Sequence, residues 1–341
     1  MPDSIPGTTG SDIRAEGEGP LTQAPNGPSG GNLDSRGCGR SPMTIRVGCS
    51  GWSYEDWVGR FYPLGLAKKK GEWLGYYARF FDVVEINSTY YRPPGERQVQ
   101  SWIKKGKERV GGFEYSVKMP GLVTHQALVE GDEDKALFWT VAFEKACLAP
   151  LNDSDLLGGV LFQLPPHFRR EGGALSRLAG VLDALAPKEY DLAVEFRHRS
   201  WLDEGGGDLN PSASEVLKER NAANVFVDGP GRQKAMSLTA DHAYIRFHGR
   251  NYDIWYGREK ESDHRLDRYD YLYKEDQLSP WVPRIREAEL KTRAVRIFFN
   301  NHARAKSIKN AFLMMEMLSI EHKSKEIQLQ DQFTLGEFRS R

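Results

Sequence analysis

The feature that most constrains the fold is a regular alternation of short, β-branched and aromatic runs with segments of helical period. Eight runs of strand type follow one another, at residues 44–50, 82–88, 112–120, 158–165, 191–196, 224–229, 243–249 and 294–300. Segments of helical period lie at residues 72–81, 96–107, 132–148, 173–185, 212–221, 280–292 and 303–318. The sixth connection, Gly229 to Ala240, is short and lacks a clear helical period. The pattern predicts an α/β fold, a closed parallel (β/α)8 TIM-like barrel rather than an open doubly wound sheet.

The two ends of the chain differ in composition from this central part. Residues 1–42 are rich in Gly, Pro and Ser and hold only scattered apolar residues. Such a segment cannot bury enough apolar surface to offset the entropy lost on ordering, so we expect a disordered N-terminal tail. The barrel is expected over residues 43–320, and residues 321–341 are expected to form a polar C-terminal extension.

Charge and hydropathy limit the classes of partner. The chain has 47 basic and 47 acidic residues, so no overall electric field attracts it to nucleic acid or to an acidic membrane. No apolar window approaches the roughly 18 residues of a membrane span, and the N-terminus lacks a signal-type apolar region. A cytoplasmic protein with no membrane partner is expected. No Gly-rich phosphate motif follows the first strand, so no nucleotide cofactor is expected.

Polar side chains recur late in the predicted strands, and they follow the strand period of two. Glu85 and Asn87 share one face of the second strand, opposite Val84 and Ile86. The remaining polar positions near strand ends are Ser116, Lys118, Gln163, Glu195, Arg197, Asp228, Arg246, His248 and Asn300. In a barrel, alternate residues face the interior and functional groups gather at the C-terminal strand ends. Since isolated charges are costly against the outer helices, these side chains are predicted to face the barrel mouth.

The residue types at this mouth suggest chemistry on an anion. Glu85 and Glu195 could flank a substrate for general acid/base work, with Lys118 and His248 as further catalytic candidates. Lys118 would be a point charge or, if desolvated, a nucleophilic amine that could form a Schiff base, although nothing in the sequence shows that it is kept neutral. The cations Lys118, Arg197 and Arg246 predict an anionic ligand, because arginine matches phosphate or carboxylate with two parallel hydrogen bonds. The polar residues expected to contact the substrate beside the arginines are Asn87, Gln163, Asp228 and Asn300. The alternative is a structural charge network, in which Glu195 pairs with Arg246 or Glu85 with Lys118.

Aromatic residues follow several strands on the same predicted face. Trp52, Tyr90 and Trp201 are expected to contact the substrate. Aromatic rings beside cations can stack a base or a sugar, so a nucleotide, a nucleic-acid end or a glycosyl phosphate would fit. The alternative is that these rings are loop anchors that cover the top of the barrel.

Seven motifs carry a resemblance to a known family. They are RVGCSGWSYEDWVGRFYP (46–63), VVEINSTYYRPP (83–94), YSVKMPGLVTH (115–125), VLFQLPP (160–166), AVEFRHRSW (193–201), YIRFHGRN (244–251) and FFNNH (298–302). Through them the chain resembles the YecE-like proteins, domain of unknown function 72, over residues 44–318. The resemblance implies a TIM-like barrel whose activity is unsettled. Cys49 stands where Thr is expected in many relatives, which argues against an indispensable thiol.

Three functional hypotheses remain open at this point. The first is a hydrolase, lyase or isomerase acting on a small anionic, phosphorylated or nucleotide-like substrate. The second is a metal-dependent phosphodiesterase or isomerase resembling endonuclease IV, with a divalent metal held by Glu85, Glu195, Asp228 and His248, although the nearby cations would oppose it. The third is a non-catalytic protein that binds nucleic acid or a small ligand. Neither the substrate nor the oligomeric state follows from the sequence.

Overall fold

A computed structural model describes residues 45–186, 189–230, 235–251 and 268–328. The predicted tail at residues 1–42 and the part of the predicted extension beyond residue 328 lie outside these ranges. The strands are β1 Ile45–Ser50, β2 Val83–Ile86, β3 Glu114–Lys118, β4 Leu157–Gln163, β5 Leu192–Glu195, β6 Ala223–Asn224, β7 Phe226–Asp228, β8 His242–Phe247 and β9 Ala294–Phe299. They form one sheet in the order β6-β5-β4-β3-β2-β1-β9-β8-β7, and every pairing is parallel.

Strands β6 and β7 together act as one strand of the barrel. Only Val225 separates them, and its amide donates to the Val194 carbonyl at 3.0 Å, which continues the pairing with β5. Since β6 pairs with β5 and β7 pairs with β8, the sheet returns on itself. The nine strands thus correspond to the eight predicted runs, and the predicted α/β TIM-like barrel is confirmed.

Helices surround the sheet between successive strands. The α-helices are α1 Lys70–Tyr77, α2 Ser88–Tyr91, α3 Glu96–Lys107, α4 Leu128–Glu130, α5 Glu133–Phe143, α6 Ala149–Asn152, α7 Ala174–Asp183, α8 Pro211–Glu219, α9 Glu275–Leu278, α10 Trp281–Lys291 and α11 Lys306–Met317. Two π-helical turns, Leu122–Ala127 and Glu144–Leu148, lead into α4 and α6. Short 3-10 turns lie at Glu55–Trp57, Leu64–Leu66, Arg199–Trp201 and Ala303–Ala305. Within the described ranges, none of the helices is long and apolar enough to cross a membrane.

The helix predictions hold best where the apolar period is long. Helix α3 has the predicted bounds, and the other predicted helices are present with ends shifted by a few residues. The π-helical turn Leu122–Ala127 was not predicted, because Pro120 and Gly121 before it resemble a loop signal. In the sixth connection, residues 229–230 and 235–240 contain no helix, as the missing period indicated.

The barrel interior is built in three layers, which places the polar cluster at one end. At the N-terminal end, the Arg296 guanidinium donates to Glu114 Oε2 at 2.9 Å and to Asp191 Oδ2 at 2.8 Å. Above it lies an apolar layer formed by Val83, Leu161, Ala193, Ala223, Val225, Val227, Tyr244 and Phe298. The third layer, at the C-terminal ends of the strands, carries most of the polar residues singled out above. We call this third layer the mouth cluster; its residues are Glu85, Asn87, Lys118, Gln163, Glu195, Arg197, Arg246, His248 and Asn300.

Candidate functional site

Arg246 is the centre of the mouth cluster. Its side chain projects inward from β8 and is 1% exposed. Nη2 donates to Glu85 Oε1 at 2.7 Å, and Nη1 donates to Glu195 Oε2. Burial alone would lower the pKa of Arg246, but the two carboxylates raise it well above its ordinary value. Arg246 therefore stays charged and ties β2, β5 and β8 together.

Glu195 has a second set of cationic and polar neighbours. Arg197 Nε donates to Glu195 Oε1 at 2.6 Å, and His248 Nε2 lies 3.3 Å from the same oxygen. Burial alone would raise the pKa of Glu195, but Arg197 and Arg246 hold it well below its usual range. The carboxylate therefore remains ionised near neutral pH. This pairing does not support the proton-transfer role expected for Glu195, because a general acid must carry a proton and a useful base must be less stabilised.

His248 is neutral and oriented by its two neighbours. Burial, the largest influence, lowers the pKa of His248 to about 3. The Asn300 side-chain amide lies 3.0 Å from His248 Nδ1 and can donate to it. A neutral imidazole has one N–H, so accepting at Nδ1 places that proton on Nε2, which faces Glu195. His248 thus serves as a fixed hydrogen-bond donor to Glu195.

Gln163 and Arg197 extend the cluster toward solvent. Gln163 Oε1 accepts from Arg197 Nη2 at 2.8 Å and from Arg246 Nη1 at 3.2 Å. The Arg197 side chain is 11% exposed. Within the described part of the chain, Arg197 Nη1 has no hydrogen-bond partner. One edge of this guanidinium is therefore able to bind an anion at the mouth.

Lys118 ends strand β3 and is buried at the same mouth. Its side chain lies over the ring of Tyr90, with Nζ 4.2 Å from the ring centroid. No ion pair joins Lys118 to a carboxylate among the residues that the structure describes. Burial first, and then Arg246 and Arg197, lower the pKa of Lys118 to about 7. Lys118 is thus a lysine that can exist as a neutral amine at neutral pH.

Asn87 directly follows the neighbouring strand β2 and lies beside Lys118. Ile86 of β2 pairs with Val117 of β3, so the residues that follow them in the chain, Asn87 and Lys118, are neighbours at the mouth. The side-chain oxygen of Asn87 is buried and has no hydrogen-bond partner among the described residues. A buried acceptor without a partner costs free energy unless a water or a ligand satisfies it. This oxygen is therefore placed to accept a hydrogen bond from a ligand.

The lowered pKa of Lys118 predicts that this residue destabilises the fold near neutral pH. The unfolded chain binds a proton below its pKa of 10.5, whereas the folded chain binds it only below about 7. Between these values the unfolded state binds more protons, so wild-type stability rises with pH. We expect Lys118→Met to raise the free energy of unfolding by about 2 kcal/mol near neutral pH. This gain is smaller than the free energy that corresponds to the whole pKa shift, because the variant also loses the contact with Tyr90.

This gain should shrink as the pH approaches 10.5, where the unfolded lysine also loses its proton. Urea unfolding at several pH values measures it. Lys291→Met is the matched control, because Lys291 forms only an exposed pair with Glu287. A Lys118→Met variant that is less stable than wild type at every pH would contradict the expected cost of burying this amine.

Three predicted substrate contacts are not brought to the mouth cluster. Asp228 faces the outer helices, and its carboxylate accepts from Arg250, Tyr273 and Trp281. Trp201 is fully buried, stacks on Phe196 and donates from Nε1 to the Phe168 carbonyl at 2.8 Å. Trp52 is half-buried and meets the ring of Trp102 in α3 edge-on. Each of these three side chains has packing or hydrogen-bond partners outside the mouth cluster. Tyr90 does lie at the mouth, against Lys118.

Two contributors to the cluster were not identified from the sequence. The Tyr244 hydroxyl donates to Glu85 Oε2 at 2.8 Å, so each oxygen of that carboxylate accepts a hydrogen bond. Thr89 Oγ1 donates to the Lys118 carbonyl at 2.6 Å and so fixes the end of β3. Tyr244 could have been found, because it shares the strand face of Arg246 and His248. Thr89 carried no comparable signal.

The donor set does not support the predicted metal site. Within the four described ranges, no three His, Cys, Asp or Glu side chains come together in a way that could hold a metal ion. Asp228 points away from the mouth, and the oxygens of Glu85 and Glu195 face Arg246. Both carboxylates are already paired with the buried guanidinium of Arg246, so a divalent ion would have to displace it.

A cleft of about 620 Å³ lies at the other end of the barrel, bordered by Arg46, Arg79 and Arg109. The Arg109 guanidinium is already engaged by Asp82 and by the carbonyls of Phe81 and Val110. In TIM barrels, function gathers at the C-terminal strand ends. The mouth cluster is therefore the stronger candidate.

Comparison with known proteins agrees with the fold and identifies the family. The family model described as "Protein of unknown function DUF72" matches residues 46–333. The UPF0759 protein YunF of Bacillus subtilis is 28% identical over 286 residues, which cover 82% of this chain and 96% of YunF. The UPF0759 protein YecE of Escherichia coli K12 is 30% identical over 185 residues, 54% of this chain and 59% of YecE.

The same family includes solved structures. The crystal structure of a DUF72 family protein from Thermotoga maritima superposes with a TM-score of 0.69 at 31% identity, covering 81% of this chain and 100% of that one. A DUF72 family protein from Enterococcus faecalis gives a TM-score of 0.67 at 23% identity, covering 85% of this chain and 100% of that one. The resemblance to YecE-like proteins is thereby confirmed, and the chain belongs to the DUF72 family of proteins of unknown function.

Proposed function

We propose that this chain is an enzyme that binds a small anionic substrate at the C-terminal mouth of the barrel and uses the amine of Lys118 as its reacting group. The observation that carries the proposal is the position of Lys118. The amine is buried beside two guanidiniums and has no carboxylate ion pair within the described ranges. A structural lysine is normally exposed or paired, so this environment is costly without a functional reason.

The charge of the cluster supports an anionic substrate. Arg246 is compensated by the carboxylates of Glu85 and Glu195, and Glu195 also contacts Arg197. When Lys118 is protonated, three cations face two carboxylates, which leaves the mouth with one positive charge. An anion that binds between Lys118 and the open edge of Arg197 would restore the balance.

The two glutamates have a different role in this proposal from the one expected from the sequence. They hold Arg246 and Arg197 in place, and these guanidiniums in turn disfavour the charged form of Lys118. Glu85 and Glu195 are therefore positioning residues rather than the acid and base. No observation in the described residues favours the metal-dependent alternative. The third hypothesis, a binding protein without catalytic activity, is distinguished from an enzyme by the tests below.

Arg197→Gln tests the anion site directly. We expect the variant to bind sulfate about tenfold more weakly than wild type, because it loses a charged donor worth about 1.5 kcal/mol. Sulfate is the probe because its charge stays constant near neutral pH, and isothermal titration calorimetry gives its affinity. Wild-type affinity should also fall as the pH rises through about 7, where Lys118 loses its proton.

Arg199→Gln is the matched control for this measurement. Arg199 lies two residues further along the same loop and is exposed, so its substitution removes the same charge from the same end of the barrel. Its sulfate affinity should stay within about twofold of wild type, since exposed charges are screened. Equal losses in both variants would mean that sulfate responds only to the general field, and the proposed site would be wrong.

A further inference from the structure

The main chain around Lys118 is held in place by hydrogen bonds to two neighbouring segments. Thr89 Oγ1 donates to its carbonyl, and the amide of the following residue, Met119, donates to the Leu161 carbonyl at 2.9 Å. The side chain then runs inward to place Nζ over the ring of Tyr90. The fixed main chain and the contact with Tyr90 together place the nitrogen at the mouth, where a nucleophile can meet a bound substrate.

We propose that Lys118 forms a covalent imine with a small aldehyde or ketone that carries an anionic group. This inference rests on the proposed function of the same site and names its class of substrate. Desolvation and adjacent cations are the two conditions that make a lysine a nucleophile for carbonyl compounds, and Lys118 meets both, through burial and through Arg197 and Arg246. Its lowered pKa makes the neutral amine available at neutral pH.

The covalent step balances without an oxidant or a reductant. The Nζ lone pair attacks the carbonyl carbon, a C–N bond forms, and the π electrons move to the oxygen, which takes up a proton as the nitrogen loses one. The resulting carbinolamine expels this oxygen as water after a further proton transfer, and a C=N bond remains. The unsatisfied Asn87 oxygen, one strand away, is placed to accept a hydrogen bond from the carbinolamine hydroxyl.

The position of Arg197 explains why the carbonyl compound should be anionic. Its Nε and Nη2 are directed toward Glu195 and Gln163, which leaves its outer edge toward the mouth. A carboxylate or a phosphate on the substrate would bind there while the carbonyl carbon reaches Nζ of Lys118. Both groups have the same recognition chemistry, so the choice between them is left to the probes.

Reductive trapping tests the imine. Wild-type protein is incubated with sodium cyanoborohydride and one of three probes: pyruvate, glyceraldehyde phosphate, or uncharged glyceraldehyde. Trapping adds the mass of the probe less one oxygen atom, and peptide mapping locates it. We expect Lys118 to be labelled at least tenfold more than the exposed Lys104 by one or both anionic probes. The probe that labels best distinguishes a carboxylate from a phosphate.

Two variants complete the test. Lys118→Arg keeps the positive charge but cannot form the imine, so the specific label should disappear, whereas Lys104→Met should leave it unchanged. Labelling of Lys118 no stronger than labelling of Lys104, with both anionic probes, would overturn the inference.

The imine and the anion site can fail separately. Sulfate binding that depends on Arg197, together with an unlabelled Lys118, would refute the imine and leave the anion site in place. The opposite failure is also distinguishable. If Arg197→Gln reduces the labelling of Lys118 by the anionic probes no more than its labelling by glyceraldehyde, the anion site is refuted instead. If Arg197→Gln lowers the labelling of Lys118 about tenfold with the anionic probes and leaves the labelling by glyceraldehyde unchanged, the result supports both the imine and the anion site.

Discussion

Arg246→Met is expected to destabilise the fold by about 3–5 kcal/mol, because removing one partner of a buried ionic network leaves its counter-charges buried and uncompensated. Arg246 is the shared partner of Glu85 and Glu195, both of which are fully buried. Methionine fills a similar length but offers no charge and no donor. Urea unfolding near neutral pH measures the loss.

The stability lost in Arg246→Met should become smaller as the pH falls. In wild type the pKa of Glu195 is lowered, so its ion pairs contribute stability that is lost as the pH falls through the folded pKa. In the variant, burial without Arg246 should raise this pKa, so the folded state gains a proton and stability falls as the pH rises. The difference in free energy of unfolding between wild type and Arg246→Met should therefore become smaller as the pH is lowered toward about 5.

A triple variant separates a lost network from a simple cavity. Arg246→Met combined with Glu85→Gln and Glu195→Gln removes all three charges, and we expect it to recover most of the lost stability. The exposed pair of Lys291 provides the control, since Lys291→Met should cost less than about 0.5 kcal/mol. If Arg246→Met cost no more than Lys291→Met, the mouth cluster would not be the buried network described above.

Trp201→Ala should destabilise the protein by about 3–5 kcal/mol, the usual cost of removing a large buried aromatic side chain. The indole is 0% exposed and stacks with Phe196 and Phe168. Its loss would also leave the Phe168 carbonyl without its donor. Thermal or urea unfolding measures the effect.

Trp201→Phe distinguishes a core residue from a substrate contact. Phenylalanine keeps the stacking and loses the indole hydrogen bond, so a smaller loss of about 1–2 kcal/mol is expected. Sulfate affinity, measured on the folded variant, should equal that of wild type. A variant with normal stability and impaired binding would restore the role that the sequence suggested for Trp201.

The strand period of two was sufficient to predict most of the residues that meet in the mouth cluster. Arg246 and His248 alternate with apolar residues at the end of β8, and Glu195 and Arg197 do the same at the end of β5. Charged side chains are less costly at the barrel mouth than against the outer helices, so the sequence predicted that these side chains point inward. The fold followed from the same reasoning applied to all of the runs.

The same rule failed for Asp228, for a reason that lies outside its own strand. On β7 the apolar Val227 faces inward, and the polar face turns to the helices. The donors that make this tolerable, Arg250, Tyr273 and Trp281, come from 22 to 53 residues later in the chain. Local pattern cannot reveal such distant partners, and the lowered pKa of Lys118 is hidden for the same reason.

The layered interior closes the barrel at its N-terminal end. At its N-terminal end the inner space is filled by Arg296 and Glu114, and the apolar layer above them, which includes Leu161 and Phe298, leaves these charges separated from the mouth. Under the proposed function, a substrate that reaches Lys118 would therefore enter, and its product would leave, by the C-terminal mouth. Release would have to precede the next binding event, so we expect a product that still carries the anionic group to compete directly with fresh substrate.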